Sequence, residues 1–270
     1  MSLFVRDYSD PDADMLAIPL VVIHGLFGSG DNWQTIAKEI GKDRRCYALD
    51  LPSHGESPWG GSLRYDAIAG QIADTIETLG LKKIAIMGHS MGGKSAMALA
   101  LLFPDLVVEL IVVDIAPKRY KAHHDDIFAA LEAIDPRAIA QRSHADTIMA
   151  QYVLDPMMRG FLLKNLRPQP EGGYAWRFDY RNIQKEYDHI VEWLPEFDPV
   201  RNSLTKYPTY TGPVFFIGGA QSDFIDRDLD LPTIHSLFPA ARLSFVENAR
   251  HWVHADNKPG FVAQLKAILI

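Results

Sequence analysis

Over its first 117 residues the chain alternates short apolar, β-branched runs with longer amphipathic stretches, and this rhythm restricts the fold more than any other feature. "IPLVVIHG" (18–25) reads as a buried strand closed by glycine; "NWQTIAKEI" (32–40) sets Trp33, Ile36, Ala37 and Ile40 on one helical face, with Asp31 as its expected N-cap. "RCYALDLP" (45–52), "YDAIAGQIADTIETLG" (65–80), "KIAIMG" (83–88), "GGKSAMALALLFP" (92–104) and "VVELIVVDIAP" (107–117) continue the series. Strands that are apolar on both faces and joined through helices predict an α/β fold: a mostly parallel central sheet with helices on both faces. From 118 to 208 the rhythm stops. "DDIFAALEAI", "HADTIMAQYVL" and "NIQKEYDHIVEWL" read as helices around the Pro/Gly-rich "RPQPEGGYAW", with no buried strand run. The alternation resumes with "PVFFIGG" (213–219), "PTIHSLFP" (232–239), "ARLSFVENA" (241–249) and a helix from about Pro259. The expected organisation is a core of residues 1–117 and 209–270 interrupted by a helical cap insertion at 118–208.

With 270 residues, 47% of them hydrophobic, the chain can bury one large core. A formal charge of −7 without any Lys/Arg run gives no footprint for nucleic acid or an anionic membrane, so a small-molecule partner is expected, in a monomer or homodimer. Cys46 is the single cysteine, and the start "MSLFVRDYSDPDAD" is acidic where a signal peptide would be basic and then apolar; a cytoplasmic protein is expected. No apolar stretch approaches the roughly 18 to 20 residues of a membrane span.

Gly88-His89-Ser90-Met91-Gly92 is a G-x-S-x-G at the junction of a strand signal and a helix signal, the context of a nucleophile elbow. Such a turn crowds the serine backbone, so the flanking positions need glycine, while the adjacent helix N-terminus supplies N–H groups. A serine at its free pKa is a poor nucleophile and needs a base and an orienting acid further along the chain. "NARHWVHADNKPGF" supplies His251 in a loop before the last helix; His254, three residues on, is expected to pack at a helix start. Two aspartates compete as the acid: Asp114 at the end of "LIVVD", and Asp223 in "GGAQSDFID" after the next strand. "HGLFGSGDNW" (24–33) is placed to give a second oxyanion donor, the backbone N–H of Leu26 or Phe27, beside that of Met91. "DLPSHGESP" (50–58) reads as a structural loop.

HGLFGS, DLPSHGES, GHSMGGK, VVDIAP and RHWVHADNKP together resemble the α/β-hydrolase superfamily, and GHSMGGK followed by DIAP resembles the YbfF-type esterases in particular. The similarity spans nearly the whole chain. It implies an α/β-hydrolase fold with a helical cap after the DIAP strand, and hydrolysis of carboxylic esters and acyl-CoA thioesters without a cofactor. Ser90 is then the nucleophile, His251 the base and Asp114 the acid, with Ser222 in support. The chain departs from that pattern in "GGAQSDFI", one residue longer and holding Asp223, and in Arg250-His251 where the family has Gly-His. Arg119, Lys121 and His123, just beyond Asp114, are candidates to meet an anionic group on the substrate, and Phe224 and Trp252 to line its site. His123, His124, Asp125 and Asp126 are neighbours that diverge on a helix, so no metal site is expected; Asp125 or Asp126 reads as the N-cap. A C–C bond hydrolase or lyase on the same fold, or a non-catalytic ligand-binding protein, are the competing readings.

Overall fold

The computed structural model describes residues 2–194 and 209–269. In chain order the elements are β1 (Val5–Asp7), β2 (Leu20–Ile23), α1 (Gln34–Ile40), β3 (Cys46–Leu49), α2 (Tyr65–Thr78), β4 (Ile84–His89), α3 (Met91–Leu102) and β5 (Val107–Val113). Next come α4 (Asp125–Ala133), α5 (Arg142–Met149), α6 (Pro156–Leu163), β6 (Leu166–Pro168), β7 (Tyr174–Trp176), α7 (Tyr180–Lys185) and α8 (Tyr187–Val191). The chain closes with β8 (Val214–Gly219), α9 (Leu231–Leu237), β9 (Ala241–Val246), α10 (Val253–Asp256) and α11 (Lys258–Ile268). Seven strands form one sheet in the order β1-β3-β2-β4-β5-β8-β9. Only β1 runs antiparallel, against β3; it is short and lacks an apolar run, so sequence reading passes over it.

The period of two along the central strands divides the core between the two faces of the sheet. Ile84 and Ile86 of β4 pack with Ile68, Ile72 and Ile76 of α2 and Leu99 of α3. Ala85 and Met87 point the other way, toward Trp33, Ile36 of α1 and Phe261, Leu265 of α11. Each fully buried aliphatic or aromatic side chain contributes about 1.5–3 kcal/mol, so the helices are held to the sheet mainly by these apolar faces. Helix α3 is buried from Met91 through Leu101, and its small residues let it lie close to the sheet. Trp33 falls in a 3₁₀ turn, Gly30–Trp33, capped by Ser29, so Asp31 lies inside that turn instead of capping the helix.

Residues 118–194 carry five helices and a small antiparallel hairpin, β6–β7, which the Pro/Gly-rich stretch did not announce. Its strands are three residues each, too short for a readable alternation. His124, not Asp125 or Asp126, is the N-cap of α4; the two aspartates occupy its first turn, where they complement the helix dipole. Residues 195–208 of the expected cap insertion lie outside the described residues. Among the described residues no helix is long and apolar enough to cross a membrane, and no cluster of three metal-ligating side chains occurs.

Candidate active site

The loops that follow β2, β4, β5, β8 and β9 meet at the carboxyl edge of the sheet, where ligands of open α/β sheets bind. Ser90 sits between β4 and α3 with φ 54° and ψ −120°, a backbone conformation that side-chain-bearing residues adopt at a cost. Its own N–H donates to Val113 O at 3.0 Å and its carbonyl accepts from Gly93 and Lys94, which locks the turn. A Cβ at Gly88 would lie 2.0 Å from Gly92 O, and one at Gly92 2.4 Å from His24 O, so the elbow closes only with glycine at both places. The Met91 N–H opens α3, where no intrahelical acceptor exists for it.

Across the edge, His251 Nδ1 lies 2.8 Å from Asp114 Oδ2. Asp114 is fully buried, and its carboxylate also accepts from Gly219 N–H at 2.9 Å and Ser222 Oγ at 2.5 Å. Three donors on one carboxylate keep it in place and satisfied despite burial. Accepting at Asp114 assigns the proton to Nδ1 of a neutral His251 and leaves Nε2 as the basic nitrogen. Asp223, the other candidate acid, is exposed and makes no hydrogen bond to His251. In the loop "GGAQSDFI" the Asp223 side chain is exposed, while Ser222 one position earlier turns inward to Asp114. His89 Nε2 donates to the backbone carbonyl of His251 at 2.8 Å, tying the histidine loop to the residue before Ser90. Ser90 Oγ and the His251 imidazole are not hydrogen-bonded to each other. His254 stacks on Trp33, 4.3 Å between ring centroids and 27° between planes, and burial pushes its pKa down to about 4.

The loop after β2 is held from two sides. His24 donates from Nδ1 to Gly25 O at 2.8 Å and accepts Leu51 N–H at Nε2, 2.9 Å. His54 donates from Nδ1 to Pro52 O and accepts the Phe27 N–H at 3.1 Å. The Phe27 carbonyl accepts from Asn165 Nδ2 at 2.9 Å, and its φ of 59° is strained for an aromatic residue. Of the two sequence candidates for the second oxyanion donor, Phe27 thus has its amide engaged by His54. Among the described residues the Leu26 amide has no protein acceptor and remains the loop's available donor. Burial holds His24 below the usual histidine range and, with His24 nearby, takes His54 down to about 3, so both stay neutral and keep their acceptor nitrogens. Below them Asp50, fully buried, accepts from Arg6, Gly30 N–H and Glu56 N–H.

Sequence reading passes over His24, His89 and Asn165 and gives His54 only a place in a structural loop, because each works through backbone groups that only the folded chain brings near. The sole textual trace of His24 and His54 is a histidine before glycine in HGLFGS and in SHGES. Lys94, in GHSMGGK, is also unread: it is 2% exposed and donates to Val191 O at 3.0 Å and Glu192 O at 2.6 Å, the carbonyls at the C-terminus of α8. Burial pushes its pKa down to about 7. Of the substrate-contact candidates, Arg119 is committed to an exposed ion pair with Glu192, and Lys121 and His123 are exposed. Trp252 packs against Phe161 of α6 at 5.3 Å, and Phe224 lies on His251.

A strained serine elbow, a buried aspartate–histidine pair and a neighbouring amide-bearing loop on one sheet edge define a class, and residues 18–258 match the family described as the alpha/beta hydrolase fold. The chain belongs to this family. It is 37% identical over 261 residues to the sn-1-specific diacylglycerol lipase ABHD11 of Danio rerio, covering 93% of this chain and 78% of that protein. It is 36% identical over 251 residues to the esterase YbfF of Escherichia coli, covering 93% of this chain and 91% of that one. Among solved structures, a marine microorganism esterase superposes with a TM-score of 0.89 at 34% identity over 99% of both chains.

Proposed function

We propose that this chain is a serine hydrolase of carboxylic esters that works through an acyl-enzyme on Ser90. The observation that carries the reading is the buried Asp114 bonded to His251 Nδ1 at 2.8 Å, on the same sheet edge as the serine elbow. His251 Nε2 takes the Ser90 proton as Oγ bonds to the acyl carbon, and Asp114 stabilises the imidazolium and fixes its orientation. The carbonyl oxygen, now an oxyanion, accepts from the Leu26 and Met91 amides, each donor worth about 3–4 kcal/mol in the transition state. His251 returns the proton to the leaving alcohol; a water then repeats the sequence and frees the acid. Ser222 holds Asp114 and has no step of its own.

In this reading residues 118–208 act as the cap that bounds the acyl chain, and the substrate is a small acyl ester, with acyl-CoA thioesters as a second class open to the same chemistry. The relatives' names, an esterase and a diacylglycerol lipase, support esters over C–C substrates. The test is turnover of wild type and Ser90→Ala on esters and acyl-CoA thioesters graded in acyl length. Wild type should hydrolyse the esters, and Ser90→Ala should lose about six orders of magnitude in kcat with folding intact. Hydrolysis that survives Ser90→Ala would overturn the acyl-enzyme mechanism.

A further inference from the structure

Phe224 has both faces covered. Its ring lies nearly parallel to the His251 imidazole, 3.6 Å between centroids and 17° between planes. It is also nearly parallel to Tyr120, at 5.5 Å and 26°. Two parallel rings this close cannot share one face, so His251, Phe224 and Tyr120 form a stack in that order. The stack is fixed at its far end: the Tyr120 hydroxyl donates to Phe224 O at 2.6 Å and accepts Ala116 N–H at 2.8 Å. Tyr120 N–H donates to Val191 O, which also receives the Lys94 ammonium, and that ammonium lies 4.9 Å from the Tyr120 ring centroid. With both faces occupied, Phe224 has little but its edge to offer a substrate.

Face-to-face stacking is the electrostatically poor arrangement for two neutral rings, because like quadrupoles meet. A cation over the same face is attracted to it. When His251 takes the Ser90 proton its ring becomes an imidazolium, and the contact with Phe224 turns from poor to favourable without any movement. An interaction stronger in the transition state than in the resting enzyme accelerates the chemical step.

We propose that Phe224 is a positioning residue for His251, holding the imidazole against Asp114 and stabilising its protonated form, with Tyr120 fixing Phe224 from behind. The proposal rests on His251 being the base of the proposed function.

The test compares Phe224→Leu, Phe224→Tyr and Tyr120→Phe in the full chain, with p-nitrophenyl acetate and p-nitrophenyl octanoate as substrates. In parallel, proton NMR follows the Nδ1 proton that His251 donates to Asp114. Phe224→Leu should lower kcat about tenfold for both esters with KM nearly unchanged, and should shift or broaden the Nδ1 resonance. Phe224→Tyr keeps the ring and should restore both. An unchanged kcat, or a loss that appears in KM and grows with acyl length, would overturn the proposal and leave Phe224 as an acyl contact. If circular dichroism shows that Phe224→Leu does not fold, Tyr120→Phe decides: a smaller loss in kcat alone supports the stack, and wild-type kcat refutes it. Should wild type hydrolyse neither ester, the functional reading fails, and the Nδ1 resonance alone decides whether Phe224 orders the imidazole.

Discussion

The carboxyl edge of the sheet and the segment 118–194 above it solve opposite problems. At the edge, Asp114, Asp50, His24, His54 and His89 are buried polar groups, each with protein partners, and all act on loops of a few residues. In the segment above, charged side chains such as Arg119, Lys121 and Asp125 lie outside, and what reaches inward is mostly apolar or aromatic, with Asn165, Tyr120, Arg177 and Asn182 among the polar groups that bond to the core. In the proposed function the edge carries the chemistry, and the upper segment packs onto it and helps hold its loops in shape. A buried polar group left without its partner is costly, so changes at the edge should be severe and changes on the outer surface slight.

The two aspartates give the largest contrast. Asp114→Asn keeps the shape but forfeits the acceptor that fixes the imidazole tautomer, and kcat should fall about 10⁴-fold. Asp223→Asn, one loop away and exposed, should keep most of its activity. Steady-state kinetics on both variants checks the ranking; the reverse order would move the acid to the later loop.

Next in size is the grip on the Leu26–Phe27 loop. His54→Ala removes the acceptor of the Phe27 amide and lets the proposed oxyanion donor, the Leu26 amide, wander, with an expected loss of about 10² in kcat. Asn165→Ala releases the Phe27 carbonyl from the other side and should cost less, because that carbonyl can turn to water. If kcat holds in both variants while Tm falls, the two side chains serve stability alone.

Lys94 joins the two regions and its effect should appear in stability. Its folded value of about 7 lies below the ordinary lysine value of 10.5, so between these values the unfolded chain binds the extra proton. Stability then rises with pH across that window. Against Lys94→Met, wild-type Tm should gain from about pH 7 to about pH 9. A pH-independent difference would show that the ammonium is not held in a desolvated site.

The smallest effect is expected at Arg119→Ala. Its exposed pair with Glu192 has the strength of a surface ion pair, so kcat/KM on a neutral ester should change less than about fivefold. A larger change would draw the outer surface of the segment into substrate binding.

What could be read in advance follows the same division. The parallel sheet was legible because strands buried on both faces, such as "KIAIMG", are continuous apolar runs. The elbow was legible because its sterics demand glycine at Gly88 and Gly92. Strand position alone left Asp114 and Asp223 open, since both end or follow a strand, and only the family resemblance favoured Asp114; burial, in which the two differ, is a property of the packed chain. The same holds for Phe27, whose amide is spent on a histidine 27 residues away. The hairpin β6–β7 escaped because its strands of three residues each are too short for a period to show.

The central claim, that Ser90 is a nucleophile activated at this edge, is tested most directly by covalent trapping. Wild-type chain treated with a fluorophosphonate should gain one adduct, which peptide mapping places on Ser90, and Ser90→Ala should gain none. An adduct on another residue, or none on wild type that is folded by circular dichroism, would contradict the account.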